Sequence, residues 1–279
     1  NFGEGTLTAI PDRFFKGCTS LVSPNAFTGV TSVGESAFEG CTAVQSLSFD
    51  DSLSNIGTKA FQNCTALESV HIPDSVTSLS AAAFRNDVSL TEFQMPERLH
   101  TVSASAFSGC TSLKTVTWSK YLQTIEANAF ENTALTEIIF PESLTSIGAY
   151  AFANTAITST PDLSEAESIG KYAFALTKIA KVTLPGGVFA DDYAFALNTE
   201  LKEVEIGDGA VIGEAAFYSR LTDNSFEGTG KFNSDSYQTY EYEVKNETGA
   251  TAKTYTYYSY NIKSGNVSAL TSLTVGKNV

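Results

Sequence analysis

The sequence predicts a solenoid of stacked repeats with short β-strands and an aromatic interior, followed by a β-rich insertion. One observation is an Ala-Phe pair that recurs at steps of 21 to 23 residues. The other is a strand-like alternation of apolar residues within each repeat. A fixed period of this size indicates a solenoid, because each unit can bury its apolar face only against its neighbours. The pairs are Ala37-Phe38, Ala60-Phe61, Ala83-Phe84, Ala106-Phe107, Ala129-Phe130, Ala151-Phe152, Ala173-Phe174, Ala194-Phe195 and Ala216-Phe217.

The first element of a repeat is a short strand. In the unit from Leu67 to Ser89, Val70 and Ile72 alternate with polar residues, which predicts one inward face. Pro73 ends this strand because proline cannot donate to a strand ladder. Trp118, the only tryptophan, has the inward position of Ile72. We therefore expect it to fill the core, the alternative being a platform for a ligand.

The second half of the repeat is expected to close the core. Val76 and Leu79 point two more apolar side chains inward, and the segment that ends in Ala83-Phe84 predicts a tight helical or 3₁₀ turn. The aromatic rings of successive repeats are therefore predicted to form one buried stack.

The cysteines share one position of the repeat. Cys18, Cys41, Cys64 and Cys110 are separated by 23, 23 and 46 residues, and Asp87 and three threonines take this position in other repeats. Such a position suits a small, partly buried group, so we expect free structural thiols. Neighbouring side chains in one position point the same way, which disfavours pairing although adjacent turns are within reach.

The repeat consensus resembles the BspA-type leucine-rich repeat. It reads Leu-x-x-Val-x-Ile-Pro-x-Ser-Val/Leu-Thr-Ser-Ile-Gly-x-x-Ala-Phe-x-x-Cys/Thr, as in the segment from Phe140 to Phe152, and covers about residues 6 to 217. The resemblance implies a curved, right-handed leucine-rich-repeat solenoid. Short parallel strands form its concave face, with turns and short helical or 3₁₀ segments opposite. It also implies secreted or surface-attached bacterial proteins that adhere to host molecules or other cells, and it brings no catalytic residues.

Breaks in the period divide the chain. Residues 1–217 are the predicted array, and the inward strand positions are damaged between Ile157 and Leu163, where we expect strand pairing or curvature to change. Residues 218–268 form a Tyr/Thr-rich insertion that includes a predicted β-hairpin. Residues 269–279 match the start of a repeat again, which indicates either a trimmed longer array or a terminal cap strand. The beginning at Asn1, with Met95 the only methionine, favours a fragment or a processed product.

Composition and motifs exclude several functions. The net charge of −14 repels nucleic acid and anionic membranes, and no stretch approaches the ~20 apolar residues that span a bilayer. His71 and His100 are the only imidazoles, so we expect no metal or other cofactor. Ser168-Ile-Gly-Lys171 matches the Ser-x-x-Lys arrangement of serine acyl-enzymes, but we interpret it as an accident of the repeat. The chain is therefore not expected to be an enzyme.

Outward strand positions are expected to align into two rows. The first row is Ser48, His71, Gln94, Thr117, Ile139, Thr183 and Glu205. The second row is Ser46, Ser69, Glu92, Thr115, Glu137, Ser159, Lys181 and Glu203. The candidate partner contacts among them are His71, Gln94, Thr117, Glu92, Glu137, Glu203 and Glu205. The alternative is an ordinary solvated sheet, since the rows lack Trp and Arg.

Tyrosines of the insertion are further candidate contacts, because tyrosine combines a large contact area with a polar tip. They are Tyr240, Tyr242, Tyr255, Tyr257 and Tyr258. The alternative is that they only pack a two-stranded flap onto the array.

The leading hypothesis is a non-catalytic, monomeric binding module, secreted or attached to the cell surface, that recognises a host or microbial protein or glycan. The other hypothesis is a structural spacer that projects another domain from the cell.

Overall fold

The computed structural model describes residues 7–22 and 26–218, and the backbone of three later strands, Tyr237–Lys245, Thr251–Tyr260 and Ser272–Val275. The array is a parallel-strand β-solenoid of about nine turns. Each turn contributes up to three segments: one strand in each of two sheet systems, and one turn ribbon that carries the Ala-Phe pair.

The long sheet is the more continuous of the two. Its two-residue strands pair in parallel from one turn to the next, and Leu79 bridges Ile56 and Val102 where one turn supplies only a single residue. The strands are β1 (Ala9–Ile10), β2 (Ser32–Val33), β4 (Asn55–Ile56), β7 (Thr101–Val102), β9 (Thr124–Ile125), β10 (Ser146–Ile147), β11 (Ser168–Ile169), β13 (Phe189–Ala190) and β15 (Val211–Ile212).

The segmented sheet carries the strands predicted from the apolar alternation. The strands are β3 (Ser46–Ser48), β5 (Ser69–His71), β6 (Glu92–Gln94), β8 (Thr115–Thr117), β12 (Lys181–Leu184), β14 (Glu203–Ile206) and β18 (Ser272–Val275). They form separate parallel groups, namely β3 with β5, β6 with β8, and β12 with β14 and β18.

The turn ribbon differs from the helical or 3₁₀ segment predicted there, since the described residues contain no helix. Ala82 and Asn86 have φ angles of 55° and 62°, and a right-handed helix cannot include such residues. The ribbon is instead a series of β-turns, in which Ala83 N–H donates to the Ser80 carbonyl at 3.2 Å. Alternate N–H groups bond across repeats, as Phe84 N–H does to the Ala106 carbonyl at 2.8 Å. These bonds between repeats replace the bonds of a helix.

The predicted aromatic stack forms the core. Phe84 is fully buried, and its ring lies 5.1 Å from that of Phe61 and 5.3 Å from that of Phe107, with nearly parallel planes. The same contact continues from Phe15 to Phe217. Trp118 is half-buried and packs edge-on against the rings of Phe130, Phe140 and Phe152, which confirms its predicted role in the core.

Beside the aromatic stack lies the column of cysteines. Cys41, Cys64 and Cys110 are buried, and each thiol donates to a phenylalanine carbonyl of the preceding repeat at 3.0 to 3.1 Å. Cys18, in contrast, is exposed. Burial raises the pKa of Cys41 to about 11 and those of Cys64 and Cys110 further, so these thiols stay protonated.

Asp87 occupies the same column and is fully buried. One carboxyl oxygen accepts the Cys64 N–H at 2.8 Å, whereas the other has no hydrogen-bond partner. Burial raises the pKa of Asp87 well above its ordinary value. At the equivalent position, the Asn198 amide donates to the carbonyls of Phe174 and Phe195 and accepts from Thr177. An amide therefore fits this column better than a carboxylate.

A second compact unit, residues 220–269, contains the predicted β-hairpin. Strands β16 (Tyr237–Lys245) and β17 (Thr251–Tyr260) pair antiparallel along their length, with a register shift between Val244 and Lys245. The first unit comprises residues 1–219 together with 270–279, and β18 pairs with β14 in the manner of another repeat.

We expect Phe84→Ala to lower the free energy of unfolding by about 3–5 kcal/mol, because it removes a buried ring from the continuous stack. Chemical denaturation followed by circular dichroism measures the change. Phe14→Ala is the control, since Phe14 is 48% exposed, and it should cost less than about 1 kcal/mol. Equal losses for the two variants would contradict the assignment of the stack to the interior.

We expect Asp87→Asn to stabilise the array at neutral pH. The raised pKa of Asp87 means that the folded state keeps a proton that the unfolded chain releases near pH ~3.9. Stability contributed by this group is thus present at low pH and falls as pH rises, by up to about 1.4 kcal/mol per pH unit.

Melting midpoints measured from pH 4 upward should therefore diverge between Asp87→Asn and the unaltered chain, with the variant higher at neutral pH. Substitution of the exposed Asp51 by Asn controls for the loss of one surface charge. A variant that is less stable than the unaltered chain at neutral pH would show that the carboxylate is accommodated without cost.

Candidate interaction surfaces

The outward side chains of the two predicted rows align within three separate groups of paired strands. Ser48 pairs with His71, Gln94 with Thr117, and Glu92 with Thr115, all in parallel strands. The outward side chains at His71, Glu92, Gln94, Thr115 and Thr117 are exposed. The structure therefore aligns the predicted residues pairwise, within strand groups that are not continuous with one another.

The rows are interrupted between β8 and β12. Glu137 and Ile139 are exposed but lie outside any strand, and Ile139 is 84% exposed. One turn later, Thr160 takes the middle position of the missing strand, and its hydroxyl is buried without a partner. Pro161 takes the next position, where it has no N–H for a ladder. Pairing was predicted to change between Ile157 and Leu163, and its loss begins one turn earlier.

The C-terminal stretch carries a charged cluster. Lys181 donates to Glu205 at 2.7 Å and lies 3.7 Å from Glu203, and the Thr183 hydroxyl donates to Glu205 at 3.1 Å. The hydrogen bond from Lys181 lowers the pKa of Glu205 and raises that of Lys181. Because these groups are in contact with solvent, the cluster orients the side chains more than it stabilises the fold.

The tyrosines of the insertion lie on the hairpin. Tyr240 is opposite Tyr257, Tyr242 is opposite Tyr255, and Tyr258 is opposite Thr239. Their contacts fall outside the described part of the structure, so their role in binding stays a prediction.

Ser168 and Lys171, which match the Ser-x-x-Lys arrangement, each contact other residues. Ser168 donates to the Ser146 hydroxyl at 3.0 Å, whereas Lys171 lies 3.7 Å from the Asp192 carboxylate. In the described ranges, no group of three or more His, Cys, Asp and Glu side chains could hold a metal ion. No helix among those residues has the length and apolar character to cross a membrane.

One surface feature was not predicted. Tyr150, Tyr172 and Tyr193 stack ring on ring along the edge of the turn ribbon, with both centroid separations 4.9 Å, and we call them the tyrosine ladder. Each precedes an Ala-Phe pair, so the thrice-repeated Tyr-Ala-Phe was a usable signal. Lys171 extends over the rings of Tyr172 and Tyr193, 5.8 and 5.6 Å from their centroids.

Comparison with known families agrees with this architecture. Residues 8–134 and 101–223 match the family described as a BspA type leucine-rich repeat region of six copies. No curated protein matches the chain significantly.

Similar solved structures include the following two. The chain is 29% identical to a leucine-rich cell surface protein of Faecalibacterium prausnitzii, with a TM-score of 0.59, over 75% of this chain and 62% of that protein. It is 23% identical to the pneumococcal vaccine antigen PcpA, with a TM-score of 0.52, over 67% of this chain and 53% of that protein. The chain thus spans less than two thirds of either protein's length.

Proposed function

We propose that this chain, which belongs to the BspA-type leucine-rich repeat family, is a non-catalytic extracellular binding module that recognises a protein or glycan. The observation that carries the proposal is the in-register exposure of polar side chains on strands whose spacing the buried phenylalanine stack fixes. Such a surface is arranged before a partner arrives, so binding costs little additional ordering.

The location at the cell surface is part of the proposal. It is supported by the name of the similar Faecalibacterium prausnitzii structure, a leucine-rich cell surface protein. We propose that the chain acts as a monomer without a cofactor, through contact over a wide area.

Charge restricts the kind of partner. The chain carries a net charge of −14, and Glu92, Glu137 and Glu203 are exposed on the segmented sheet and its interruption. A partner with basic groups or with many hydroxyl donors would match this surface, whereas polyanions such as nucleic acid would be repelled.

A structural spacer is the second candidate. The observation that favours it is the small size of the outward side chains at the N-terminal end of the rows, Ser46, Ser48 and Ser69, since interface hot spots are enriched in Trp, Tyr and Arg. A spacer would present this surface to solvent without binding anything.

An adhesion assay separates the two functions. We expect the purified chain to bind at least one member of a panel of immobilised matrix proteins and glycans. We also expect Glu92→Ser/Gln94→Ser/Thr117→Ser to weaken that binding by about tenfold, because interface side chains near the centre contribute most. The combined serine substitution of Tyr240, Tyr242, Tyr255 and Tyr257 tests the hairpin in the same way.

A matched control changes polar residues on the other sheet, Asn55→Ser/Thr101→Ser/Thr124→Ser, and it should bind like the unaltered chain. If the unaltered chain adheres to nothing on a broad panel, the proposed binding function is wrong and the structural spacer is the remaining candidate.

A further inference from the structure

The tyrosine ladder occupies backbone positions that usually exclude bulky side chains. Tyr150, Tyr172 and Tyr193 have φ angles of 57°, 57° and 59°, in the left-handed region that favours Gly and Asn. Asn128 holds the same position one turn earlier with a φ of 59°. The same backbone conformation recurs at this position in every described repeat, from Arg13 to Ala215, so the ladder is distinguished by its three consecutive tyrosines and not by its backbone.

Each ladder tyrosine is accompanied by a small neighbour. In two other repeats, the side chain two residues before the phenylalanine contacts the one just after it: Asn128 donates to Glu131 at 2.9 Å, and Ser36 hydrogen-bonds to Glu39. In the three ladder repeats, the residue after the phenylalanine is Ala153, Ala175 or Ala196, and all three are buried. The small alanine side chains therefore leave space for the rings, and the tyrosine and the alanine occur together in all three repeats.

The edge of the ribbon consequently changes in character along the array. In the earlier repeats it presents polar groups such as Lys59 and Arg85. At the ladder it presents Tyr150, which is 37% exposed, and Leu176, which is 44% exposed on the same turn as Tyr172. An exposed apolar and aromatic patch on a polar protein is typical of an interaction site.

Lys171 shows how the ladder holds a cation. Its ammonium contacts the rings of Tyr172 and Tyr193, which is a cation–π arrangement. The equivalent residue of the preceding turn is Ala149, which offers no charged group beside Tyr150 and Tyr172. A cation from a partner would fit there as Lys171 fits one turn later.

Charge around the ladder favours a basic partner. Lys171 is already engaged with Asp192, and the Asp192 carboxylate also accepts the Glu214 N–H at 2.8 Å. Asp191, Asp192 and Glu214 outnumber Lys171 at the Tyr193 end of the ladder, in keeping with the net charge of −14.

We propose that the tyrosine ladder is the docking site for a segment of a partner protein that presents an Arg or Lys between apolar residues. The cation lies beside Tyr150 and Tyr172, and the apolar residues pack against the ring edges and Leu176. This inference rests on the proposed binding function and adds to the polar rows a second contact surface with its own class of partner.

Short random peptides displayed on phage and selected on the unaltered full chain test the proposal. We expect the selected peptides to contain Arg or Lys beside apolar residues. In solution, fluorescence anisotropy should show about tenfold weaker binding to Tyr150→Asn/Tyr172→Asn, a loss between those expected for an exposed and for a desolvated cation–π contact. Asn is chosen because Asn128 adopts the same backbone conformation.

A second variant leaves the tyrosines in place. Ala149→Lys supplies the chain's own cation beside Tyr150 and Tyr172, so it should weaken peptide binding without removing a ring. Tyr121→Asn is the matched control, since Tyr121 is 47% exposed and outside the ladder, and it should bind like the unaltered chain.

Several results would overturn the proposal: no selected peptides, peptides without basic residues, or equal binding by the Tyr150→Asn/Tyr172→Asn variant. Glycan binding that this variant alone loses would also overturn it, since the ladder would then recognise sugars. In the adhesion panel, a Tyr150→Asn/Tyr172→Asn variant that adheres normally defeats the ladder assignment but not the binding function. An unaltered chain that adheres to nothing defeats both.

Discussion

One distance governs the structure, the spacing between consecutive turns. The phenylalanine rings stack with centroids 5.0 to 5.7 Å apart from Phe15 to Phe217, and backbone hydrogen bonds join the same turns on three sides. Parallel strands require a separation of about 4.8 Å, close to the distance that offset aromatic rings prefer. The core and the backbone therefore favour one repeat distance, and every outward position becomes a column with that period.

Side chains in a column are favoured when they can bond to the equivalent side chain of the next turn as well as fit their own turn. Asn86 donates to the Asn63 amide at 3.0 Å, and Asn154 donates to Asn132 at 2.7 Å, both in left-handed positions that asparagine tolerates. Buried columns are more demanding, because the groups there face backbone carbonyls. A thiol, a hydroxyl or an amide can donate to such a carbonyl, whereas an ionised carboxylate cannot, so Asp87 suits its column only while it keeps its proton.

The interior of the array was predictable from the sequence to a greater extent than its edges. The repeat position and the apolar character of Phe84, Ile72 and Trp118 were sufficient to place them in the core, because large apolar side chains are usually buried. The turn conformation was not predictable in the same way, since Ala-Ala-Phe favours a helix locally and only bonds to the next repeat enforce the left-handed angle of Ala82. Likewise, two-residue strands such as Ser146–Ile147 are too short for an alternation to show. The repeated Tyr-Ala-Phe marks the position of the tyrosine ladder in the sequence, but the stacking of its rings depends on backbone angles that tyrosine seldom adopts, so the contact itself was not predictable.

The interruption of the segmented sheet bears on where a partner could make continuous contact. Pro161 and its neighbours leave the strand groups on either side unconnected, so a ligand that follows the rows would cross a stretch without aligned side chains. On the same turns the ribbon is unbroken, since Phe130, Phe152 and Phe174 keep their stacking and Tyr150, Tyr172 and Tyr193 lie in register above it. The rows of the segmented sheet are therefore interrupted on the same turns where the tyrosine ladder lies. In this region, the ordered side chains that a partner could contact are those on the edge of the turn ribbon. A partner that needs a rigid, extended site is therefore better served by the ladder than by the sheet.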